Sequence, residues 1–376
     1  MNKYIPIRLG MVGGGQGAFI GAVHRIAARM DGHYQLVAGA LSADPARAHA
    51  SADELGIDPN RSYESFNEMA TQEAAREDGI EAVAIVTPNH LHYPAAKAFL
   101  AAGIHVICDK PLTSTLEDAQ RLIDLVEQSG KLFVLTHNYS AYPMIRQAQS
   151  MVANGELGRI QLVQVEYPQD WLAKPIETEG QKQAEWRTDP ARTGAGGCVG
   201  DIGTHAWHLA GFVTGLETDQ VAADLDTFVA GRRVDDNVHV MLRFKSPDND
   251  GNGRPAKGML WASQIAAGHE NGLKLRVYGD KGSIEWVQAD PNYLWFTPLN
   301  ESRRLITRGG AGHNAAAARM TRIPAGHPEG YLEGFANIYG EAALAIKAVR
   351  NSEAIPQEVQ YPTVQDGLLG MRFIDV

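Results

Sequence analysis

The sequence has 376 residues, of which 44% are hydrophobic and 21% are charged, and its formal net charge is −10 at pH 7. This length favours two domains over one. The composition is that of an ordinary globular protein and excludes a disordered chain. The acidic balance excludes nucleic acids and anionic membrane surfaces as expected partners, because both attract a basic protein surface.

The two cysteines, Cys108 and Cys198, are too few for a disulfide framework and favour a reducing compartment. The amino terminus runs directly into an apolar stretch without the pattern of a signal peptide. No apolar run reaches the ~18 residues that a membrane helix needs. We therefore expect a cytoplasmic protein with no membrane partner that binds a small, uncharged molecule.

From Ile5 to Thr136 the sequence alternates short apolar runs with longer helical stretches. The runs are apolar throughout, as is typical of strands that are covered on both faces. The helical segment 115–130 starts with Thr, has acids in its first turn and ends with Gly, which are start and stop signals. The repeated units predict an α/β domain with a doubly wound parallel sheet. Its predicted strands are 5–12, 34–41, 81–86, 104–108 and 132–136.

After Asn138 the pattern changes. A helix is predicted over 143–154, and the segment 159–168 is the first with period-two alternation. Such strands predict a mainly antiparallel sheet with one face exposed to water, hence an α+β domain. The later predicted elements are strands 221–230, 237–245, 257–266, 273–279, 282–288 and 293–298, turn material at 246–255, a loop at 300–330, and helices 331–349 and 363–375.

These patterns predict two domains, 1–137 and 138–376, and leave open whether the final helix packs back toward the first domain. In the first domain, Gly13, Gly15 and Ala18 directly follow the first strand and match the pattern G-x-G-x-x-[GA]. Such a turn lets the backbone approach a pyrophosphate, which the amides of the next helix then bind. Although a glycine-rich turn can simply be flexible, its place after the first strand predicts a dinucleotide site, which Gln16 and Phe19 also line.

The residues that distinguish NAD from NADP lie at the end of the second strand. The tip at Ser42 lacks the acid that usually binds the ribose 2′-hydroxyl. Asp44 comes two residues late and is equally suited to cap the next helix, and Arg47 could bind a 2′-phosphate or face solvent. We expect NAD as the cofactor, with Ser42 in contact with it, and keep NADP as the alternative.

The segment 198–209 (CVGDIGTHAWHL) combines a carboxylate, a thiol and two imidazoles. Asp201 and His205 stand four residues apart, so on a helix they share one face. That spacing suits a metal site that also uses His208, a catalytic base with its helper, or a helix cap. The spacing alone leaves the three alternatives open.

Together with the glycine-rich turn, the segments 86–111 (VTPNHLHYPAAKAFLAAGIHVICDKP) and 200–208 (GDIGTHAWH) resemble the Gfo/Idh/MocA family of oxidoreductases. The resemblance covers essentially the whole chain. It implies an N-terminal Rossmann domain, a C-terminal domain built on an open antiparallel sheet, and often a tetramer formed through those sheets.

By resemblance, Lys110, Asp201 and His205 are the catalytic residues, so no metal is expected. We expect His208 to pack or to support a site residue, and Cys198 to be a small buried residue beside the glycines rather than a nucleophile. One departure is visible, because Asp109 stands where the family usually has Glu. The further cofactor residues that we expect are Thr87, Pro88, Asn89, His92, Asp109, Lys110 and Asn138.

Elementary chemistry agrees with this trio. Oxidation of a secondary alcohol needs a base with a pKa near the working pH, which histidine supplies. His205 is then the base, Asp201 orients and stabilises its protonated form, and Lys110 donates a hydrogen bond to the developing alkoxide.

The chain is also similar to inositol dehydrogenases of the scyllo-inositol type, some of which act on L-glucose. That similarity implies a cyclic polyol or sugar, such as scyllo- or myo-inositol, as substrate. The alternatives are a glucoside 3-dehydrogenase, a levoglucosan dehydrogenase, an NADP-dependent keto-sugar reductase and a non-catalytic dinucleotide sensor. The predicted substrate-binding residues are Lys110, Tyr139, Asp170, Trp171, Arg187, Asp201, His205 and His327, with Arg187 and His327 preferred among those in loops.

Overall fold

The structure is a computed structural model that describes residues 5–246 and 254–376. Most of the turn material predicted at 246–255 therefore lies outside the described residues. The strands are β1 (Ile7–Gly13), β2 (Tyr34–Ala40), β3 (Ala82–Val86), β4 (His105–Cys108), β5 (Phe133–Leu135), β6 (Ile160–Pro168), β7 (Thr218–Asp226), β8 (Asn237–Phe244), β9 (Lys257–Ser263), β10 (Lys274–Gly279), β11 (Gly282–Val287), β12 (Tyr293–Pro298) and β13 (Arg304–Thr307).

The helices follow the same chain order, with short 3₁₀ turns between some of them. They are α1 (Phe19–Met30), α2 (Pro45–Glu54), α3 (Phe66–Ala74), α4 (His92–Ala101), α5 (Leu116–Ser129), α6 (Pro143–Ala153), α7 (Lys182–Arg187), α8 (Pro190–Thr193), α9 (Thr204–Thr214), α10 (Ala315–Arg319), α11 (Tyr331–Arg350) and α12 (Val364–Asp375). These helices each lack the length or the apolar character that a membrane span requires.

The chain divides into two compact units. The first comprises the residues up to Asn138 together with Tyr331–Arg372, and the second comprises Tyr139–Gly330 with Phe373–Val376. The division expected from sequence differs, since it assigns 331–372 to the second domain. Contacts of the first unit explain the assignment: the amide of Leu135 donates to the carbonyl of Pro362, and Gly367 packs closely against Leu112.

The first unit contains a parallel sheet in the order β2-β1-β3-β4-β5, as predicted. All five residues of β3 are buried, because a central strand of such a sheet is covered on both faces. Helix α5 has the predicted boundaries. The hydroxyl of Thr115 accepts the amide of Asp118, and Gly130 ends the helix with a left-handed φ of 62°.

The second unit contains a sheet in the order β13-β12-β11-β10-β6-β9-β8-β7. Its pairs are antiparallel except β6 with β9, which run parallel. On one face Val163 and Val165 join a core with the fully buried Trp286, whereas Leu162 on the other face is 51% exposed. The predicted mainly antiparallel sheet with one exposed face is therefore confirmed.

Two local predictions in this unit are wrong. The segment 300–330 is not all loop, because β13 pairs with β12 and α10 follows it; both elements are too short to show a period. The strand predicted over 221–230 ends at Asp226. The chain turns there because the carboxylate of Asp236 accepts the amides of Phe228 and Val229.

A buried histidine joins α1 to α11 within the first unit. The Nδ1 atom of His24 lies 2.9 Å from the hydroxyl of Tyr339, and its Nε2 atom lies 4.0 Å from a carboxylate oxygen of Asp109. Burial lowers the pKa of His24 from 6.5 to about 4; nearby Asp109 opposes this effect and Arg25 adds to it. The folded protein therefore holds this imidazole neutral.

We predict that His24→Gln reduces the acid sensitivity of the fold. Between pH 6.5 and 4 the unfolded chain protonates residue 24 and the folded chain does not, so wild-type stability is lost as the pH falls. The variant should lose up to about 3 kcal/mol less over that range. Denaturant unfolding at a series of pH values measures the difference. His49→Gln, at an exposed histidine on α2, is the control for replacing an imidazole with an amide. Equal slopes for His24→Gln and wild type would contradict the prediction.

Candidate active site

The turn between β1 and α1 fits the predicted pyrophosphate. Gly13 has a φ of +77°, and a Cβ there would lie 3.0 Å from the carbonyl oxygen of Val86. A Cβ on Gly15 would lie 2.7 Å from the carbonyl oxygen of Leu41. Helix α1 starts after Ala18 without a side-chain cap or an acid in its first turn. The first amides of α1 therefore remain available to an anion. The close contacts at Gly13 and Gly15 leave no room for a side chain at these two positions of the turn.

A cavity of about 450 Å³ lies beside this turn and is lined by Gln16, Ala18 and the 65% exposed Phe19, among other residues. The backbone amide of Gln16 donates to the hydroxyl of Ser51 at 3.0 Å. This contact fixes the turn against α2. Four of the predicted cofactor residues, Gly15, Gln16, Ala18 and Phe19, thus line one cavity within the first unit.

At the tip of β2, Asp44 is a helix cap. Its carboxylate accepts the amide of Arg47 at 2.8 Å, and its own amide donates to the hydroxyl of Ser42 at 3.1 Å. This arrangement matches one of the two alternatives that the sequence left open for Asp44. The tip of β2 consequently presents the hydroxyl of Ser42 at the place where NAD enzymes usually have a carboxylate.

The loops after β3 and β4 are tied together by His92. This residue is fully buried, and its Nδ1 and Nε2 atoms lie 2.8 Å and 3.0 Å from the carbonyl oxygens of Pro111 and Thr87. Burial lowers the pKa of His92. The contacts with Pro111 and Thr87 link the loop of residues 87–89 to the loop that carries Lys110.

Asp109 holds the backbone next to Lys110. One of its carboxylate oxygens accepts the amide of Lys110 at 3.0 Å and the hydroxyl of Thr136 at 2.9 Å. Asn138, which follows β5, is buried. Asp109, although shorter than the Glu usual in the family, thus holds the backbone of Lys110 at the carboxyl end of β4. Open α/β sheets bind ligands at this edge.

In the second unit, Asp201 lies in a π-helical turn, Val199–Gly203, that leads into α9. One carboxylate oxygen accepts a hydrogen bond from the side-chain amide of Gln264 at 2.8 Å and lies 3.4 Å from Nε of Arg187. The predicted residues Arg187 and Asp201 are therefore brought together. Gln264 was missed by the sequence analysis, and its only sequence signal is a polar residue at the end of an apolar strand.

Arg187 also contacts two indole rings. Its guanidinium carbon lies 4.2 Å from the ring centre of Trp186 and 5.9 Å from that of Trp171. Such cation–π contacts hold a guanidinium in place at a partly exposed site. Trp171, predicted to bind substrate, thus joins the same cluster as Asp201.

His205 packs against tyrosines. The ring of Tyr139 is edge-on at 5.0 Å and that of Tyr167 lies at 6.3 Å. The two phenol oxygens are 2.6 Å apart, and Tyr167 donates to the side-chain oxygen of Asn271 at 2.7 Å. Burial raises the pKa of Tyr139. The aromatic neighbours of His205 are therefore phenols linked to the amide of Asn271, and Tyr167 and Asn271 were not predicted.

Other candidates engage different partners. The carboxylate of Asp170 accepts the amide of Gly268 at 3.0 Å. His327 is exposed on a loop whose backbone is held by the buried Arg308. His208 is buried and stacks on Phe212. Cys198 is fully buried, and burial raises its pKa, so it is unsuited as a nucleophile.

The residues proposed for the metal alternative can be compared with the contacts that the structure describes. Within residues 5–246 and 254–376, no group of three or more His, Cys, Asp and Glu side chains is arranged to hold an ion. Asp201 instead interacts with an amide and a guanidinium.

Comparison with known proteins gives concordant matches. Residues 7–137 match an oxidoreductase family with an NAD-binding Rossmann fold, and residues 145–285 match the GFO/IDH/MocA C-terminal domain. An oxidoreductase of known structure from Sinorhizobium meliloti is 60% identical, covers 99% of this chain and 96% of its own, and superposes with a TM-score of 0.89. A levoglucosan dehydrogenase from Pseudarthrobacter phenanthrenivorans is 30% identical over 74% of this chain and 73% of its own length.

A third relative has been crystallised with ligands. It is an inositol dehydrogenase homologue from Azotobacter vinelandii, complexed with NADH and myo-inositol, which is 35% identical, covers 99% of this chain and 95% of its own, and has a TM-score of 0.91. The two domain matches in the expected order and the near full-length relatives are consistent with the glycine-rich turn at Gly13 and Gly15 and with the turn that carries Asp201. The chain therefore belongs to the Gfo/Idh/MocA family of NAD-dependent oxidoreductases, and its first unit is an NAD-binding Rossmann domain.

Proposed function

We propose that this oxidoreductase is a dehydrogenase that oxidises a ring secondary alcohol of an uncharged cyclic polyol. Scyllo- or myo-inositol, converted to an inosose, is the first candidate, and L-glucose, converted to its lactone, is the second. The observation that carries the proposal is the arrangement around Asp201, where Gln264 and Arg187 hold the carboxylate within the segment that leads to His205. The myo-inositol complex of the Azotobacter vinelandii homologue supports the substrate class.

The chemistry assigned to the side chains follows from their types. The hydride that leaves the carbinol carbon would need an acceptor, which NAD would supply when bound. His205 removes the hydroxyl proton as general base, and Asp201 favours the imidazolium that results. Lys110 donates a hydrogen bond to the oxygen on which negative charge develops. The turn around Gly13 and Gly15 binds the pyrophosphate.

The charge balance of the second-unit cluster favours a neutral substrate. Asp201 and Arg187 offset one another, and the aromatic neighbours of His205 are the phenols of Tyr139 and Tyr167. A phosphate or carboxylate would lose its hydration and would have to compete with Asp201 for the guanidinium of Arg187, which is unfavourable. Aromatic side chains such as Trp171 offer faces on which the apolar side of a ring can pack.

We predict NADH formation with myo- or scyllo-inositol in a panel of inositols, aldoses, levoglucosan and glucose 6-phosphate. The value of kcat/KM for the sugar phosphate should be at least about tenfold lower than for the best neutral polyol. Each substrate is tested with NAD and with NADP. Higher activity on levoglucosan than on any inositol would instead favour the function of the Pseudarthrobacter phenanthrenivorans relative. No turnover of any cyclic polyol or sugar would contradict the proposed function and favour a dinucleotide sensor.

We predict that Lys110→Met lowers kcat by roughly 10² or more while NADH binding stays intact, because the variant keeps the side-chain length but loses the donor to the alkoxide. Steady-state kinetics and NADH fluorescence titration measure the two quantities. Lys97→Met, on the exposed side of α4 in the same unit, is the matched control and should retain wild-type kcat. A wild-type kcat for Lys110→Met would remove this residue from the mechanism.

We also propose that the protein forms a homotetramer through the exposed face of the second-unit sheet. Met241 on β8 and Met259 on β9 lie opposite one another and are 51% and 59% exposed. With Leu162 they form an apolar surface of the kind that proteins bury in assemblies.

Light scattering after size exclusion should give a tetramer for the wild type and a smaller species for the double variant Met241→Lys, Met259→Lys, because burying two added charges costs more than the interface gains. Leu344→Lys, at an apolar residue on α11 that is 39% exposed, is the control and should leave the assembly unchanged. A monomeric wild type would contradict this part of the proposal.

A further inference from the structure

The segment that carries Asp201 and His205 begins with backbone amides that need acceptors. The π-helical turn starts at Val199, and the residue before it, Cys198, provides no side-chain cap. Amides at the start of a helix have no partners within the helix and must find them elsewhere. In this protein the partner comes from a residue that is distant in the sequence.

Asp235 supplies the missing acceptors. One oxygen of its carboxylate accepts the amide of Gly197 at 2.6 Å, and the other accepts the amide of Val199 at 2.7 Å. The backbone carbonyl of Asp235 accepts the amide of Cys198 at 2.9 Å. Three consecutive amides are therefore bound by one residue, directly before the turn of Asp201.

The contact is also sterically tight. A Cβ on Gly197 would lie 2.3 Å from the backbone oxygen of Asp235, so the two chain segments approach as closely as a glycine permits. Asp235 itself is buried. Burial raises the pKa of this carboxyl, and the two amides oppose that effect. Both of its oxygens are engaged by the backbone, which suits it to holding the chain in place.

We propose that Asp235 is a positioning residue that sets where the turn of Asp201 and His205 begins and hence where these two side chains point. The part of this proposal that concerns catalysis rests on the proposed function of Asp201 and His205. The part that concerns the backbone of 197–203 does not.

The neighbouring residue provides a matched comparison. Asp236 is also buried, and its carboxylate also accepts two backbone amides, those of Phe228 and Val229, at 2.9 Å and 3.0 Å. It fixes the turn after β7, which carries none of the candidate site residues. Asp235 and Asp236 thus both bind two backbone amides, each in a different segment, and Asp236 has an additional ion pair with the buried Arg232 at 3.2 Å.

The test compares Asp235→Asn with Asp236→Asn. Asparagine keeps the shape but replaces one acceptor oxygen with an NH₂ group that faces a backbone amide. For Asp235→Asn we expect kcat to fall about 10- to 100-fold with little change in the KM for NAD, because the loss of a charged hydrogen bond displaces the catalytic turn and leaves the first unit unaltered. Asp236→Asn should keep kcat within about twofold of wild type at an equal or larger loss of thermal stability, because this variant also weakens the buried ion pair with Arg232.

Amide hydrogen exchange provides a readout that does not need activity. Residues 197–203 should exchange faster in Asp235→Asn than in wild type or Asp236→Asn, well below the melting temperature of each protein. If Asp235→Asn does not fold, Asp235→Glu, which keeps both oxygens but moves them by one methylene, is measured in its place with the same expectations.

Unchanged exchange over 197–203, or an equal loss of kcat in the Asp235 and Asp236 variants, would overturn the proposal. If the wild-type protein oxidises none of the polyols, the proposed function fails, while the exchange measurement still decides whether Asp235 holds the turn.

Discussion

The buried carboxylate of Asp235 fixes the start of the helical segment on which the second-unit site is built. A buried carboxylate is tolerated only when its oxygens are fully hydrogen-bonded, and here the donors are the backbone amides of Gly197 and Val199. The requirement acts in both directions, because those amides also need acceptors. The hydrogen bonds between the carboxylate and the two amides therefore hold the chain in a defined arrangement directly before Asp201.

Each catalytic candidate is then held by neighbours of a different kind. Asp201 is bound by an amide and a guanidinium, whereas His205 is bordered by phenol rings. In the first unit, Asp109 holds the backbone amide of Lys110. Rigid elements and polar partners of this sort keep reacting groups in a defined geometry, which is what proton and hydride transfer require.

Much of the first unit could be predicted from the sequence, because its signals are local. The apolar runs give β1 to β5, and Thr115 and Gly130 mark the two ends of α5. The glycine pattern predicts a tight turn for the same reason, because the pattern itself is local, although the backbone oxygens that exclude a side chain at Gly13 and Gly15 belong to the distant Val86 and Leu41. Asp44 shows where local reasoning stops: the sequence left open whether this residue caps the next helix, and the hydrogen bond that its carboxylate accepts from the amide of Arg47 shows that it does.

The partners in the second unit could not be predicted, because they are separated in the sequence and follow no period. Gln264 is 63 residues from Asp201, and Asp235 is 38 residues from Gly197. Gln264 follows Ser263 at the end of β9, and Asp235 precedes Asp236 and Asn237 at the start of β8, so the sequence offers several equivalent polar candidates at each place. The short strand β13 was missed because four residues are too few to distinguish alternation from chance.

The π-helical turn at Val199–Gly203 has a consequence for how this segment can change during evolution. Each residue of an α-helix advances the side-chain direction by about 100°. Asp235 binds the amide of Val199. An insertion or deletion between Val199 and His205 would therefore turn the imidazole of His205 away from Tyr139 and Tyr167, even if every side chain were retained. Chain length should vary less than residue type in this segment, and alignment gaps in related chains should fall outside it.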